Sequence, residues 1–207
     1  MPGLIVDWGS VLTSSIRVSF DDWLSRESVD REVFATVMRR LHDEPDSELH
    51  RLETGALPQP DFEIALASML RTTHGESVDP THLVARMMAG LEPNESMREI
   101  VRECHALGWR TVMLSNSWGN SYDEDVLETM FDALLISDRI GLRKPDARAF
   151  EAAVDSAGLP AHECIMIDDL KRNIRGAENV GMSGFLYRHG SEAELRDVLA
   201  LPGTDSR

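Results

Sequence analysis

Four short polar segments of this 207-residue sequence carry side chains that could do chemistry together. Three of them directly follow an apolar run typical of a buried strand, and the fourth lies shortly after another such run. The segments are Asp7-Trp8-Gly9-Ser10, Ser115-Asn116, Arg143-Lys144-Pro145 and Asp168-Asp169. A carboxylate can act as a nucleophile, and carboxylates that cluster are the hard oxygen ligands that Mg²⁺ prefers. An amine and a hydroxyl beside them would bind an anionic group.

The elements around these segments alternate between strands and helices. We predict strands at 4–6, 111–114, 133–136, 163–167 and 184–187, and helices at 97–107, 122–130, 146–157, 171–180 and 192–200. Strands that alternate with helices of about ten residues predict βαβ units and a parallel α/β sheet. Since the carboxyl ends of parallel strands meet at one edge, where such sheets bind ligands, we expect the four polar segments to converge there.

The stretch from 14 to 91 has a different pattern, because its apolar residues recur at steps of three and four. Prolines divide it, which predicts three to five short helices and no strand. It is too long for a connecting loop. We therefore expect a helical subdomain over 14–93, inserted into a core made of 1–13 and 94–207, with a hinge near Thr13-Ser14 and Glu92-Pro93. The tail after residue 202 is predicted to be disordered.

The overall charge of the chain limits the kinds of partner that it is expected to bind. A formal net charge of −15 argues against nucleic acid and against anionic membrane surfaces as partners. The two cysteines, Cys104 and Cys164, lack CxxC spacing and are expected to be buried, reduced thiols. We see neither a signal peptide nor an apolar run of about 18 residues, so we expect a cytoplasmic protein. A monomer and a homodimer are both open.

The four polar segments, taken in order, resemble the motifs of the haloacid dehalogenase superfamily of hydrolases. The matching segments are 7–12 for the first motif, 114–116 for the second, 143–145 for the third, and 167–169 with Asn173 for the fourth. The insertion resembles the family's helical cap, and Leu52-Glu53-Thr54-Gly55 resembles a recurrent turn within it. The resemblance covers nearly the whole chain. It implies a doubly wound, Rossmann-like parallel α/β sheet with an inserted helical cap subdomain.

The resemblance also implies a role for each residue of a magnesium-dependent phosphatase. Asp7 would be the nucleophile that forms an aspartyl-phosphate, with Ser115 and Lys144 as further catalytic residues. The residues expected to bind phosphate or substrate are Trp8, Gly9, Ser115, Asn116 and Lys144. The expected Mg²⁺ ligands are Asp7, the Gly9 backbone carbonyl, Asp169 and, directly or indirectly, Asp168. The expected substrate is a small phosphomonoester such as a sugar phosphate.

One position departs from the family's pattern. Phosphatases of this family usually carry a second aspartate two residues after the nucleophile, and here that position is Gly9. Such a positioned acid typically contributes about 10²- to 10⁴-fold to the rate. A phosphatase could instead take the proton from water or a cap residue, such as a histidine, or act on a less basic leaving group. A 2-haloacid dehalogenase, another phosphoryl-transfer enzyme and a non-catalytic binding or regulatory protein are the alternatives.

Overall fold

The computed structural model describes residues 2–119 and 122–201. Within these ranges the chain forms a five-stranded sheet in which all paired strands are parallel. The strands are β1 Gly3–Val6, β2 Arg110–Ser115, β3 Ala133–Ile136, β4 Cys164–Asp168 and β5 Ser183–Leu186. Their order is β3-β2-β1-β4-β5, so β1 is the central strand. The predicted doubly wound α/β sheet is confirmed. The predicted disordered tail lies outside the described residues.

Helices connect and flank these strands. In the described ranges the α-helices are α1 Ile16–Arg26, α2 Arg31–Asp43, α3 Glu48–Glu53, α4 Gln59–Met69, α5 Leu83–Met88, α6 Glu95–Ala106, α7 Glu124–Leu127, α8 Ser137–Ile140, α9 Ala147–Ala157, α10 Lys171–Asn179 and α11 Glu192–Val198. None of them is long and apolar enough to cross a membrane.

One local prediction was wrong, and one short helix was not predicted. The helix expected over 122–130 is only the single turn α7, because the chain after it is tied to the start of β2. There the Thr111 hydroxyl donates to the Met130 carbonyl, and the Asp132 carboxylate accepts from the Thr111 backbone N–H. The second miss is α8, a four-residue helix that follows β3 directly and ends at Gly141 in the left-handed conformation.

The sheet is buried on both faces, which explains the continuous apolar run of β1. Leu4 and Val6 pack with the apolar faces of α6 and α11, whereas Ile5 points to the other face and packs with α9 and α10. Side chains of a strand alternate between faces, so a strand covered on both sides must be apolar at every position. This burial holds the end of β1, and therefore Asp7, in a fixed place.

The segment 14–93, here called the helical segment, contains α1 to α5. Its buried apolar side chains, among them Trp23, Phe62 and Leu66, form a cluster that also includes Trp118 from outside the segment. The two connecting segments that join it to the sheet lie side by side. Thr13 and Pro93 form an antiparallel bridge, the Ser14 N–H donates to the Glu92 carbonyl at 2.7 Å, and the Asn94 N–H donates to the Leu12 carbonyl at 2.9 Å.

Candidate active site

Asp7 lies at the carboxyl end of the central strand. Its backbone N–H donates to the Ile167 carbonyl at 2.9 Å, so the pairing of β1 with β4 continues to this residue. Its carboxylate Oδ1 accepts the Trp8 backbone N–H at 2.7 Å and lies 2.8 Å from Lys144 Nζ. The backbone and the lysine together fix the carboxylate at the edge of the sheet. The predicted convergence of the first and third motifs is therefore present in the structure.

Lys144 joins Asp7 to Asp168. The lysine side chain is 1% exposed, and its Nζ lies 2.8 Å from Asp7 Oδ1 and 2.8 Å from Asp168 Oδ2. Asp168 is held by further donors, because its Oδ1 accepts the Leu170 N–H and both of its oxygens accept from Asn173 Nδ2. A buried cation between two buried carboxylates is costly unless each charge is paired, as it is here.

Asp169 adds a third carboxylate to this group. Asp7, Asp168 and Asp169 each offer a carboxylate oxygen, and these three atoms lie within 4.8 Å of one another. Burial raises the pKa of Asp7, and the charges of Asp168 and Asp169 raise it further, against the lowering effect of Lys144. Burial and Asp168 also raise the pKa of Asp169 to about 6. Three carboxylates facing one ammonium are an excess of negative charge that a cation would balance.

The donor set fits Mg²⁺. Carboxylate oxygens are its preferred ligands, and it usually keeps several bound waters. The side-chain Oδ1 of Asn173 is buried beside this cluster without a hydrogen-bond partner in the described residues, so this oxygen could accept from a water bound to the ion. Asp7 and Asp169 face the cavity described below. Both Asp168 oxygens accept hydrogen bonds from protein donors. This favours an indirect role of Asp168 in Mg²⁺ binding over direct coordination.

A cavity of about 310 Å³ opens onto these carboxylates from the side of the helical segment. From the sheet side, Asp7, Trp8, Asn116, Lys144 and Asp169 line it. The helical segment contributes the other wall, with side chains of α1, α2, α3 and α5. Those residues are Ile16, Arg17, Phe20, Met38, His42, Glu53 and Met88. The strand ends and the helical segment thus enclose one site.

Gly9 lies in this cavity beside Ile16. A Cβ at position 9 would lie 2.5 Å from Ile16 Cδ1 and 3.6 Å from Ile16 Cγ1. The backbone of Gly9 is outside the left-handed region, so its conformation does not require glycine. The Ile16 side chain is what fills the space next to this residue. Its backbone carbonyl as an Mg²⁺ ligand stays a prediction.

The second motif is divided between two environments. Ser115 is 2% exposed, and its Oγ lies 3.0 Å from the Tyr122 hydroxyl. Among the described residues, the cavity wall includes Asn116 but not Ser115. Asn116 exchanges two hydrogen bonds with the backbone of Lys144, at 2.8 and 2.9 Å. The phosphate-binding role of Ser115 stays a prediction, whereas Asn116 is placed both in the cavity and against the loop that carries Lys144.

His42 lines the cavity, and its Nδ1 lies 3.5 Å from Arg172 Nη2. Burial and the charges of Arg172 and Arg143 lower the pKa of His42 to about 4. At neutral pH its ring is therefore uncharged and has no proton to give as an imidazolium. This weighs against His42 as a replacement for the acid that Gly9 lacks.

The contacts of Glu53 were not predicted from the sequence, although the turn that contains this residue was noted. The Glu53 side chain is 4% exposed and accepts hydrogen bonds from Trp118 Nε1, Asn116 Nδ2 and Arg143 Nε. The turn that follows Glu53 contains Gly55, whose φ is +72°. A Cβ at position 55 would lie 2.4 Å from the Asp138 carbonyl, so glycine permits this close approach.

The fold, the ordered motifs and the buried Lys144 cluster together define a hydrolase of the haloacid dehalogenase type. The family of haloacid dehalogenase-like hydrolases matches residues 2–181, and this chain belongs to it.

Curated relatives match over shorter stretches. Bifunctional epoxide hydrolase 2 of Rattus norvegicus is 26% identical over 137 residues, which is 62% of this chain and 24% of that protein. Glyceraldehyde 3-phosphate phosphatase of Pyrococcus furiosus is 37% identical over 70 residues, 33% of this chain and 29% of that protein. The chain thus aligns with between a fifth and a third of the length of these two relatives.

A solved structure matches over nearly the whole chain. It is a haloacid dehalogenase (HAD) family enzyme from Bacteroides thetaiotaomicron, crystallised with magnesium and inorganic phosphate. Its TM-score is 0.67 and its sequence is 19% identical, over 92% of this chain and 96% of that one. At this identity the likeness supports the shared fold.

Proposed function

We propose that this chain hydrolyses a small phosphomonoester with Mg²⁺, through an aspartyl-phosphate formed on Asp7. The observation that carries the proposal is Lys144, buried between Asp7 and Asp168 with Asp169 beside them, at the floor of a cavity. The similarity to a glyceraldehyde 3-phosphate phosphatase and to an enzyme crystallised with magnesium and phosphate supports it.

The reaction would proceed in two displacements. An Asp7 oxygen attacks phosphorus, the bond between phosphorus and the ester oxygen breaks, and the alcohol leaves with a proton taken from water. Water then cleaves the acyl phosphate, which releases inorganic phosphate and restores the Asp7 carboxylate. Lys144 keeps Asp7 oriented and supplies positive charge close to the transferring group. Asn116 and the Trp8 side chain would border that group in the cavity.

Asp7 and Asp169, with the Gly9 carbonyl, would hold the Mg²⁺, and Asp168 would fix Lys144 and Asn173 next to them. When bound, the ion supplies positive charge that reduces the repulsion between the Asp7 carboxylate and the phosphate. The raised pKa of Asp7 supports this assignment, since burial and two neighbouring carboxylates otherwise favour its protonated, non-nucleophilic form.

The helical segment would act as the cap of this site, with 1–13 and 94–207 as the core. Its side chains form one wall of the cavity, so its docked position excludes water and limits the size of the substrate. The paired linkers at Thr13 and Pro93 would be the hinge. A structure with bound substrate analogue tests the hinge, because a cap in an unchanged position would count against it.

A non-catalytic binding protein is the second candidate. Gly9 and the Ile16 side chain next to it favour this reading, because they take the place of the usual acid. The hypothesis of a dehalogenase has less support, because those enzymes use no metal. Without a metal, the carboxylate of Asp169 would be a buried charge that nothing balances.

The test is phosphate release from a panel of sugar, nucleotide and acyl phosphates, with and without Mg²⁺. Asp7→Asn is the control, because it keeps the size of the side chain and removes the nucleophile. Metal-dependent release that is absent in Asp7→Asn supports the phosphatase. Folded protein that releases no phosphate from any member of the panel supports the binding protein.

A further inference from the structure

One carboxylate of the helical segment is bonded to two loops at the strand ends. Glu53 Oε1 accepts from Trp118 Nε1 at 3.0 Å, and Oε2 accepts from Arg143 Nε at 2.5 Å and from Asn116 Nδ2 at 3.3 Å. All three donors belong to the segments that follow β2 and β3. Glu53 lies at the end of α3, and its side chain is only 4% exposed. This carboxylate therefore joins the helical segment to both loops.

The same two loops control the position of Lys144. Arg143 is its chain neighbour, and Asn116 is bonded to its backbone twice. The Lys144 N–H donates to Asn116 Oδ1 at 2.8 Å, and Asn116 Nδ2 donates to the Lys144 carbonyl at 2.9 Å. Because Asn116 Nδ2 also donates to Glu53, one amide group connects the helical segment to the backbone of the buried lysine.

Trp118 strengthens the contact between the helical segment and the loop that follows β2. Its ring packs within the apolar cluster of the helical segment, with ring centroids 5.8 Å from those of Phe20 and Phe62. Its indole N–H is satisfied only by Glu53 among the hydrogen bonds of the described residues. If the helical segment moved away, this ring would leave its apolar surroundings and three donors would lose their shared acceptor.

We infer that Glu53 is a positioning residue that couples docking of the helical segment to the placement of Lys144 through Asn116. This inference rests on the proposed function for its catalytic consequence, but its structural part stands on the contacts alone. The substitution Glu53→Gln would leave Arg143 without its carboxylate partner. It would also place the N–H of the new side-chain amide against the other donors. Lys144 would then keep its charge but lose its fixed backbone.

The matched variants are Glu53→Gln and Glu63→Gln. Glu63 is also a buried glutamate of the helical segment, but its Oε1 accepts from the Val84 N–H and Gln59 Nε2, both within that segment. Two quantities are measured in each variant: amide hydrogen exchange at Lys144, and kcat and KM on the best phosphate ester. Lys144 exchange reports directly on its bond to Asn116.

For Glu53→Gln we expect Lys144 exchange at least tenfold faster and kcat about 10- to 100-fold lower, since small misplacements of catalytic groups cost this much. KM should change less than kcat, and Glu63→Gln should match the wild type in both measurements. Unchanged Lys144 exchange overturns the inference, whatever happens to kcat. Faster exchange with unchanged kcat in an active enzyme also overturns it.

Two controls distinguish these outcomes from a failure of the variant to fold and from a failure of the proposed function. If Glu53→Gln does not fold, Glu53→Asp takes its place, because it retains the charge but is too short to reach all three donors. If the wild type hydrolyses no phosphate ester, the proposed function fails. The exchange measurement then decides the inference alone, with faster Lys144 exchange supporting the coupling and unchanged exchange refuting it.

Discussion

The missing acid at Gly9 gives the sharpest prediction about the chemistry. Gly9→Asp alone must displace Ile16, because the new Cβ would lie 2.5 Å from Ile16 Cδ1. Overpacking of this kind typically costs about 1–3 kcal/mol. Ile16→Val removes Cδ1 and leaves Cγ1 at 3.6 Å from that Cβ, an ordinary contact distance. Since Ile16 is only half-buried, its truncation should cost about 0.5 kcal/mol, the low end for this change.

We therefore expect Gly9→Asp with Ile16→Val to fold better than Gly9→Asp and to gain activity. A positioned acid contributes about 10²- to 10⁴-fold, so we expect a gain near 10²-fold, or about 2.7 kcal/mol of barrier. The gain should appear with an alkyl phosphate, whose leaving group needs a proton. It should be small with an acyl phosphate, whose leaving group does not.

The assay compares kcat on an alkyl phosphate and on an acyl phosphate for the wild type, both single variants and the double variant. Urea unfolding of each protein measures the cost of the substitutions. Folded double variant without a gain on the alkyl phosphate would refute the reasoning about Gly9. An equal gain on both substrates would also refute it, because a proton donor should discriminate between them.

Three other outcomes follow from the charges of the site. Lys144→Met should abolish phosphate release and lower the free energy of unfolding by about 3–5 kcal/mol, because it leaves buried carboxylates unpaired; urea unfolding with an undiminished midpoint would contradict this. Asp169→Asn should weaken the rise in Tm on adding Mg²⁺, and an unchanged rise would remove Asp169 from the ligand set. Folding raises the pKa of Asp169 from 3.8 to about 6 and also raises that of Asp7, so the folded protein holds more protons than the unfolded chain over this interval. In the absence of metal, the stabilisation from Asp169 should therefore fall as pH rises from about 4 to 6, and that from Asp7 should continue to fall up to about pH 8. The stabilisation by Mg²⁺ should grow over the same range of pH. Thermal scans with EDTA and with Mg²⁺ across this range measure both, and a pH-independent effect of Mg²⁺ would be the contrary result.

The sheet and the convergence of the motifs could be predicted from sequence because they depend on local patterns. The apolar run of β1 ends at Asp7, and parallel strands bring their carboxyl ends to one edge. The resemblance to the family added the expectation that Lys144 holds the acids in place, and Lys144 Nζ lies 2.8 Å from both Asp7 and Asp168. These predictions needed no knowledge of how the helical segment packs.

What sequence could not supply depends on contacts between distant parts of the chain. Glu53 and Asn116 are 63 positions apart, and no local pattern shows that their side chains meet. The space beside Gly9 is likewise filled by Ile16 of α1, whose direction depends on how the chain turns after β1. The helix predicted over 122–130 failed for a similar reason, since hydrogen bonds to β2 override its local preference.

The proposed mechanism requires that Asp7 becomes phosphorylated during turnover. The most direct test is rapid acid quenching during turnover of the best substrate, followed by mass spectrometry of the peptide that contains Asp7. We predict a phosphoryl group on Asp7 that forms only with Mg²⁺ and is absent in Asp7→Asn. Turnover of the same substrate without any covalent phosphate, or by Asp7→Asn at the wild-type rate, would contradict it.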